Sequence, residues 1–131
     1  MYAHIVSLDL MSTSLTSFEA EVLSSLVTGD PEEAALRNQI ANAQVVSRKH
    51  TGVGLYVNFE VSTGATRLRT SNRYIEETPK MHIQHPELEA GAGALLWFKN
   101  GWLVTFECYT YAGDKWPSDE SRFSIRPHEI A

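Results

Sequence analysis

An Asn-Gly dipeptide between two long apolar runs is the feature that most constrains how this chain can fold. Asn100 and Gly101 lie near the centre of residues 91–111 (GAGALLWFKNGWLVTFECYTY). A two-residue hairpin loop in a type I′ turn needs positive φ at both central positions, which Asn tolerates and Gly adopts freely. The dipeptide therefore predicts a long antiparallel hairpin that turns at residues 100–101.

The short loop also predicts which side chains share a face of the hairpin. Counting outward from the turn, the apolar face is expected to contain Leu95, Trp97, Val104, Phe106 and Cys108. The opposite face is mixed, so it is either partly covered or carries a site. Since cross-strand apolar and aromatic pairs are each worth about 0.2–1 kcal/mol, such a hairpin can organise the core.

Two features near the N-terminus predict a helical hairpin. Thr16 and Glu19 have the spacing of a capping box, and apolar residues follow at helical spacing until Gly29, a residue typical of a helix C-terminus. Asp30 and Pro31 then predict a second helix, with Asp30 as its N-cap and Pro31 in its first turn.

The remaining segments predict a sheet. Residues 45–50 and 52–61 are expected to form strands, the second with strict alternation, and shorter strands are expected within residues 80–84 and 123–125. Residues 65–79 are polar and fit either a long loop or a poorly paired edge strand, whereas residues 2–10 fit a short strand or an extended arm. The prediction is a single α+β domain, residues 1–131, with an N-terminal helical hairpin packed on an antiparallel sheet centred on the Asn-Gly hairpin.

The composition predicts the cellular compartment of the protein. The single cysteine excludes an intramolecular disulfide, which fits a reducing compartment. Residues 1–11 do not resemble a signal peptide, and no apolar run is long enough to cross a bilayer. We therefore expect a cytoplasmic protein that does not associate with a membrane.

Charge is unevenly distributed along the chain. Residues 1–47 carry six acids and one base, residues 48–80 carry three acids and six bases, and the remainder carries seven acids and four bases. With a net charge of −5 and Tyr74 as the one aromatic residue in the basic residues 65–80, nucleic-acid binding is not expected. The predicted helices hold an excess of acid that we expect to face a basic partner, with Glu21 and Glu32 as the residues to test.

A carboxylate with aromatic neighbours is the other candidate for a site. Glu107 lies on the mixed face of the hairpin, where it either lines a site or forms a structural ion pair with an arginine. Four aromatic residues either line a groove on that face or only cover the sheet: Tyr56, Tyr109, Tyr111 and Trp116.

Other chemistry is not indicated by the sequence. His82 and His85 are three positions apart, so in a strand they face opposite sides and cannot bind one metal ion together. Cys108 lies on the apolar face, where a thiol behaves as a small hydrophobic group. Because nucleotide-binding and hydrolase motifs are also missing, no catalytic residue, metal or cofactor is predicted.

Several short motifs carry a family resemblance. Residues 35–40 (ALRNQI), 51–56 (TGVGLY), 91–95 (GAGAL) and 107–117 (ECYTYAGDKWP) occur in this order. They resemble a group of small bacterial proteins of unknown function with an LRxQL helix, a TGxGFYT strand and a GAGFxLxxxxGxLxxLExxTYxxxWP hairpin. These motifs concern packing and turns, so the resemblance implies no catalytic residue. Phe106 departs from the Leu that is common in the group.

Three functions are consistent with these observations. The first is a non-enzymatic protein-interaction domain, with an immunity- or antitoxin-like role suggested by its small size and acidity. The second is a small enzyme or ligand-binding protein with a pocket around Glu107 and the tyrosines. The third is a homo-oligomer joined along sheet edges. A deep pocket over Glu107 would favour the second, because enzymes need concave sites.

Overall fold

The computed structural model describes residues 14–127, which form two helices followed by seven strands. The expected strand or arm at residues 2–10 lies outside this range. The elements are α1 (Ser17–Val27), α2 (Glu33–Ala41), β1 (Ala43–His50), β2 (Gly54–Val61), β3 (Arg73–Glu76), β4 (Met81–Gln84), β5 (Ala92–Lys99), β6 (Trp102–Thr110) and β7 (Ser124–Pro127), with a 3₁₀ turn at Glu120–Arg122 before β7.

The strands form a single antiparallel sheet in the order β1-β2-β6-β5-β4-β7, and β3 pairs with the outer edge of β5 beside β4. Both helices contact the same face: α1 packs against β3 and β5, and α2 packs against β6. The predicted α+β class, with a helical hairpin on a sheet centred on the Asn-Gly hairpin, is confirmed.

The first helix follows its sequence signals closely. The Glu19 N–H donates to the Thr16 hydroxyl, and the Thr16 N–H donates to the Glu19 carboxylate, so the predicted capping box is present. The second helix begins later than predicted. Asp30 accepts from the N–H of Glu32 in a turn, and the helix proper starts at Glu33.

The turn of the central hairpin is as predicted. Asn100 has φ 54° and Gly101 has φ 83°, the left-handed conformations that a type I′ turn requires. Gly101 is also enclosed by the segment that precedes β3. A Cβ at this position would lie 2.8 Å from the backbone oxygen of Leu68, so both backbone conformation and space require glycine here.

The predicted register of the hairpin is wrong beyond its first two pairs. Lys99 faces Trp102 and Phe98 faces Leu103, but a β-bulge then places Trp97 opposite Thr105, leaving Val104 as the extra residue. From this point every partner shifts by one residue. As a result, Leu95 and Trp97 lie on the face opposite Phe106 and Cys108, not with them.

The bulge brings the most apolar set of each strand to the same face. On β5, the alternate set Ala92, Ala94, Leu96 and Phe98 contains no polar side chain, whereas the set with Leu95 and Trp97 ends in Lys99. Without the bulge, the first set would share a face with Thr105 and Glu107. With it, that set is buried together with Leu103, Phe106 and Cys108, because a one-residue shift exchanges the faces of a strand.

A buried glutamine of α2 holds the turn end of the hairpin. Gln39 has no exposed surface, and its Nε2 donates to the carbonyls of Thr66 and Gly101, each at 2.8 Å. Its Oε1 accepts from the N–H of Leu103 at 2.8 Å. The amide therefore pairs with β6 as a neighbouring peptide group would, at a point where β2 does not reach.

Residues 65–72 wrap the Asn-Gly turn, and β3 follows as a short edge strand, so both interpretations of this segment hold in part. The N–H of Leu68 donates to Gly101, the N–H of Gly101 donates to Ser71, and the N–H of Asn100 donates to the Asn72 side chain. The turn is thus packed against a loop, with Gly101 buried and Asn100 exposed.

The contribution of the Gln39 amide can be measured by replacement. We expect Gln39→Ala to lower the free energy of unfolding by about 3 kcal/mol, because it leaves the buried N–H of Leu103 without its acceptor and opens a cavity. Gln44→Ala, at an exposed position of β1, is the matched control and should cost less than about 0.5 kcal/mol. Equal losses in urea denaturation would contradict the role given to Gln39.

The bulge can be tested by deletion. Removing Val104 forces either the turn or the rest of β6 into the other register, so we expect a loss of more than about 3 kcal/mol or failure to fold. Val104→Thr keeps the extra residue at an exposed position and should change stability by less than about 0.5 kcal/mol. A deletion variant as stable as Val104→Thr would show that the bulge is not required.

Candidate functional site

The face of the sheet opposite the helices is called the outer face here. It spans β1, β2, β6, β5 and β3, a width of about 19 Å at the usual strand spacing. Two rows of side chains cross it. The first row is Ser47, Asn58, Thr105, Trp97 and Tyr74, and the second is Lys49, Tyr56, Glu107, Leu95 and Glu76. Each of these side chains is exposed or half-buried.

An aromatic pair ends the first row. Tyr74 and Trp97 are cross-strand partners whose ring centroids lie 5.3 Å apart. Tyr74 is 53% exposed and Trp97 is 41% exposed. Two large aromatic rings in contact with each other and with solvent are typical of surfaces that bind another protein.

The second row combines a carboxylate with a phenol. Tyr56 lies directly opposite Glu107 on the neighbouring strand, with Lys49 on its other side. The negative charge of Glu107 and a hydrogen bond to its carboxylate raise the pKa of Tyr56. Glu107 is therefore part of a polar and aromatic surface. The arginines considered as its ion-pair partners were Arg48, Arg67, Arg69 and Arg73, and none of them forms an ion pair with it within residues 14–127.

Tyr109 covers a glycine beside these rows. A Cβ at Gly93 would lie 2.6 Å from the Tyr109 ring, so the ring occupies the space that any other residue at position 93 would need. The ring also meets Tyr111 edge to face at 5.6 Å. Burial of this ring raises the pKa of Tyr109. Its first role is thus to cover β5, as aromatic residues do over glycines in sheets.

Tyr111 bonds to a buried carboxylate at the margin of the outer face. Its hydroxyl donates to Glu77, which also accepts from the N–H of Ala94 at 2.8 Å and is only 3% exposed. Burial, followed by the bond to Glu77, raises the pKa of Tyr111. Both residues line a pocket of about 290 Å³. Because Glu77 accepts several hydrogen bonds, it anchors the loop before β4 to β5.

Three residues from the sequence-based set lie away from the outer face. Trp116 is buried and packs against Phe18 and Phe123, at centroid distances of 5.9 Å and 5.1 Å. Glu21 is exposed on α1, and Glu32 lies at the start of α2. The structure therefore groups Tyr56, Tyr109 and Glu107, with Tyr111 at their margin, but not Trp116, Glu21 or Glu32.

Most of the helical acid is paired inside the molecule. Glu19 binds Arg48 at 2.7 Å, Asp30 and Glu32 bind Arg73 at 2.6 Å and 3.4 Å, and Glu33 binds Arg37 at 2.8 Å. Although burial opposes it, hydrogen bonding from Arg73 and from the N–H of Glu32 lowers the pKa of Asp30. Four of the five acids of this region, Glu19, Asp30, Glu32 and Glu33, are thus paired with three arginines, whereas Glu21 has no arginine partner within residues 14–127.

Tyr74, Trp97 and Leu95 are the surface residues that sequence reasoning missed. Trp97 and Leu95 were assigned to the core because the unbulged register placed them with Phe106. Tyr74 lies in residues 65–79, for which the sequence leaves a loop and an edge strand open, so the face on which it lies is not predicted. Lys99 belongs to the same alternate set of β5 as Trp97. Because lysine is rarely buried, Lys99 is the one signal in the sequence that this set faces solvent.

The residues considered for metal binding and nucleophilic chemistry are His82, His85 and Cys108. Within residues 14–127, no three His, Cys, Asp or Glu side chains are grouped so that they could hold a metal ion. His85 is buried between the carbonyl of Asp119 and the N–H of Glu87, whereas His82 is on the exposed side of β4. Cys108 is buried in the core, and this burial raises the pKa of its thiol well above the usual value.

Glu107 lies on an open surface. Four pockets between elements are lined by other residues. One of about 430 Å³, near the start of α1, is lined by Arg48 and His50, which alternate along β1 with the outward-facing Lys49. A deep concave site over Glu107 would favour an enzyme. None of these four pockets is lined by Glu107.

Comparison of the chain with protein families, with curated proteins and with solved structures finds no match. Neither described helix is long and apolar enough to cross a membrane. The geometry of the outer face is therefore the basis on which a function is argued.

The Tyr56–Glu107 contact makes a prediction about ionisation. Because the charge of Glu107 disfavours the tyrosinate, Glu107→Gln should lower the pKa of Tyr56 toward its usual value of about 10. The shift can be followed by NMR in protein labelled with ¹³Cζ-tyrosine. Glu60→Gln, at an exposed position on the same strand as Tyr56, is the control and should leave the Tyr56 titration unchanged. An unaltered Tyr56 titration in Glu107→Gln would contradict the contact.

Proposed function

We propose that this protein is a non-enzymatic interaction domain that binds a protein partner through its outer face. The observation that carries the proposal is the exposed Tyr74–Trp97 pair at the end of a row that crosses five strands. Burying large aromatic side chains against a partner supplies most of the binding energy at many interfaces, and Trp and Tyr are the residues most enriched at such positions.

The charges of the outer face indicate the chemistry of the partner. Three acids, Glu60, Glu76 and Glu107, are present with two bases, Lys49 and Lys99, so the face is slightly acidic. Acidic groups beside exposed aromatic rings favour Arg and Lys side chains, which form ion pairs with the carboxylates and cation–π contacts with the rings. The proposed partner is therefore a protein with a basic contact surface.

An immunity- or antitoxin-like role is the specific form of this proposal in which the basic partner is a toxin. It rests on the small size and acidity of the chain, and on the resemblance of its motifs to small bacterial proteins. The single cysteine supports a cytoplasmic setting for such a pair. Because the acids of α1 and α2 are largely paired with arginines, the outer face is a better supported contact surface than Glu21 and Glu32.

The enzyme or ligand-binding alternative has less support. It requires a pocket around Glu107, but Glu107 and Tyr56 lie side by side on an open part of the sheet. The Tyr109 ring covers Gly93, and the Tyr111 hydroxyl donates a hydrogen bond to Glu77. These residues form a surface that can contact another protein more readily than they enclose a small substrate.

The two candidate surfaces can be compared by site-specific photocrosslinking in the source cell. A photoreactive phenylalanine analogue at position 97 should yield a crosslinked product of defined size, and the same analogue at position 21 should not. Mass spectrometry of the product then identifies the partner. Crosslinking from position 21 alone would move the contact surface to the helices, and a product containing only this chain would indicate a homo-oligomer.

Binding of the identified partner can then be measured with purified proteins. Trp97→Ser combined with Tyr74→Ser should weaken binding at least about 100-fold, since losing an aromatic anchor of an interface can cost about 2 kcal/mol or more. Glu76→Gln and Glu107→Gln should mainly slow association at low salt. Glu21→Gln is the control for net charge. Affinity that is unchanged in the double aromatic variant would refute the proposed surface.

A further inference from the structure

A second site is suggested by a pocket that the interaction surface does not use. It measures about 430 Å³ and lies between the start of α1, the β1–β2 turn and the loop before the 3₁₀ turn. Pockets of this size hold small molecules. The loop is fixed to the turn, because the N–H of Trp116 donates to the carbonyl of Gly52 at 2.8 Å.

The pocket has a rigid aromatic wall. Trp116 is 8% exposed, and its ring packs against Phe18 and Phe123, which stack on each other, so the three rings form one packed cluster. Its indole N–H is not available to a ligand, since it donates to Glu120 at 3.1 Å. Pro117 is buried beside it. This part of the pocket therefore offers an apolar surface of fixed shape.

The opposite side of the pocket carries hydrogen-bond donors without acceptors. Arg48 uses Nε and one terminal nitrogen for Glu19 and Ser14, but its Nη1 has no acceptor within the described part of the chain. His50 and Lys115 are exposed at the rim, and neither has an ion-pair partner there. Three cationic or donor groups thus point to a ligand that supplies oxygen acceptors.

The overall charge of the pocket limits how negative that ligand can be. Arg48 and Lys115 are balanced by the carboxylates of Glu19 and Glu120, so the lining is close to neutral. A dianion such as a phosphate monoester would be repelled by both carboxylates, whereas a single carboxylate group can face the donors at lower cost. The aromatic wall favours an apolar body on the same molecule.

We propose that this pocket binds a small organic monocarboxylate, with its carboxylate toward Arg48, His50 and Lys115 and its apolar part against Trp116. The site is separate from the outer face, so binding here does not depend on the proposed function. A charge-assisted hydrogen bond from Lys115 is expected to contribute about tenfold to affinity.

The proposal can be tested with benzoate, benzamide and phenyl phosphate as probes of the intact chain. In ¹H–¹⁵N NMR titrations, benzoate should bind in the low millimolar range and shift the amide signals of Gly52 and Gly54 and the indole signal of Trp116. Benzamide, which lacks the charge, and phenyl phosphate, which carries a second charge, should each bind at least about fivefold more weakly. No shift with benzoate up to 50 mM (about ten times the expected range) would overturn the proposal.

Variants at the rim separate binding from folding. Lys115→Gln and His50→Gln alter exposed side chains, so the fold should be kept, and each should weaken benzoate binding, by about tenfold for Lys115→Gln. Lys99→Gln, at the far end of the central hairpin, is the matched control and should have no effect. Equal binding of benzoate and benzamide, tighter binding of phenyl phosphate, or indifference to both rim variants would refute the monocarboxylate site.

Discussion

The amide of Gln39 is the interaction on which the arrangement of the sheet depends. It satisfies the Gly101 carbonyl and the Leu103 N–H at the end of β6 that β2 does not reach. An unpaired buried backbone group is costly, so this end of β6 needs a partner. Because the partner comes from α2, a single side chain ties the helical hairpin, the wrapping loop at Thr66 and the central turn together.

The bulge at Val104 directly follows Leu103, the residue at which Gln39 binds β6. The bulge determines which side chains lie on the outer face. It places the alternate residues of β5 that include Phe98 and the alternate residues of β6 that include Phe106 in one core. The same shift moves Trp97 and Leu95 outward, next to Glu107. The burial of the core and the aromatic character of the outer face are thus two results of one extra residue.

The charge asymmetry of the chain is mostly resolved within the fold. Arg48 and Arg73 come from strands of the basic segment and bind acids at the starts of the two helices. Hydrogen bonds with Glu19 and with Asp30 raise the pKa values of these arginines further. Ion pairs near the helices therefore fix how the helices pack on the sheet, whereas the acids of the outer face form no ion pair within residues 14–127.

The sequence by itself determined the elements that depend on neighbouring residues: the Thr16–Glu19 capping box, the Asn-Gly turn, the alternating strand β2 and the α+β class. It did not determine the register of the central hairpin, because both alternate sets of β5 are largely apolar and a bulge has no distinct local signature at Val104. The tertiary structure decided that register. Only a partner distant in sequence, Gln39, and the gain from burying the two more apolar sets together distinguish the bulged strand from the regular one. Trp97 lies on the surface for that reason.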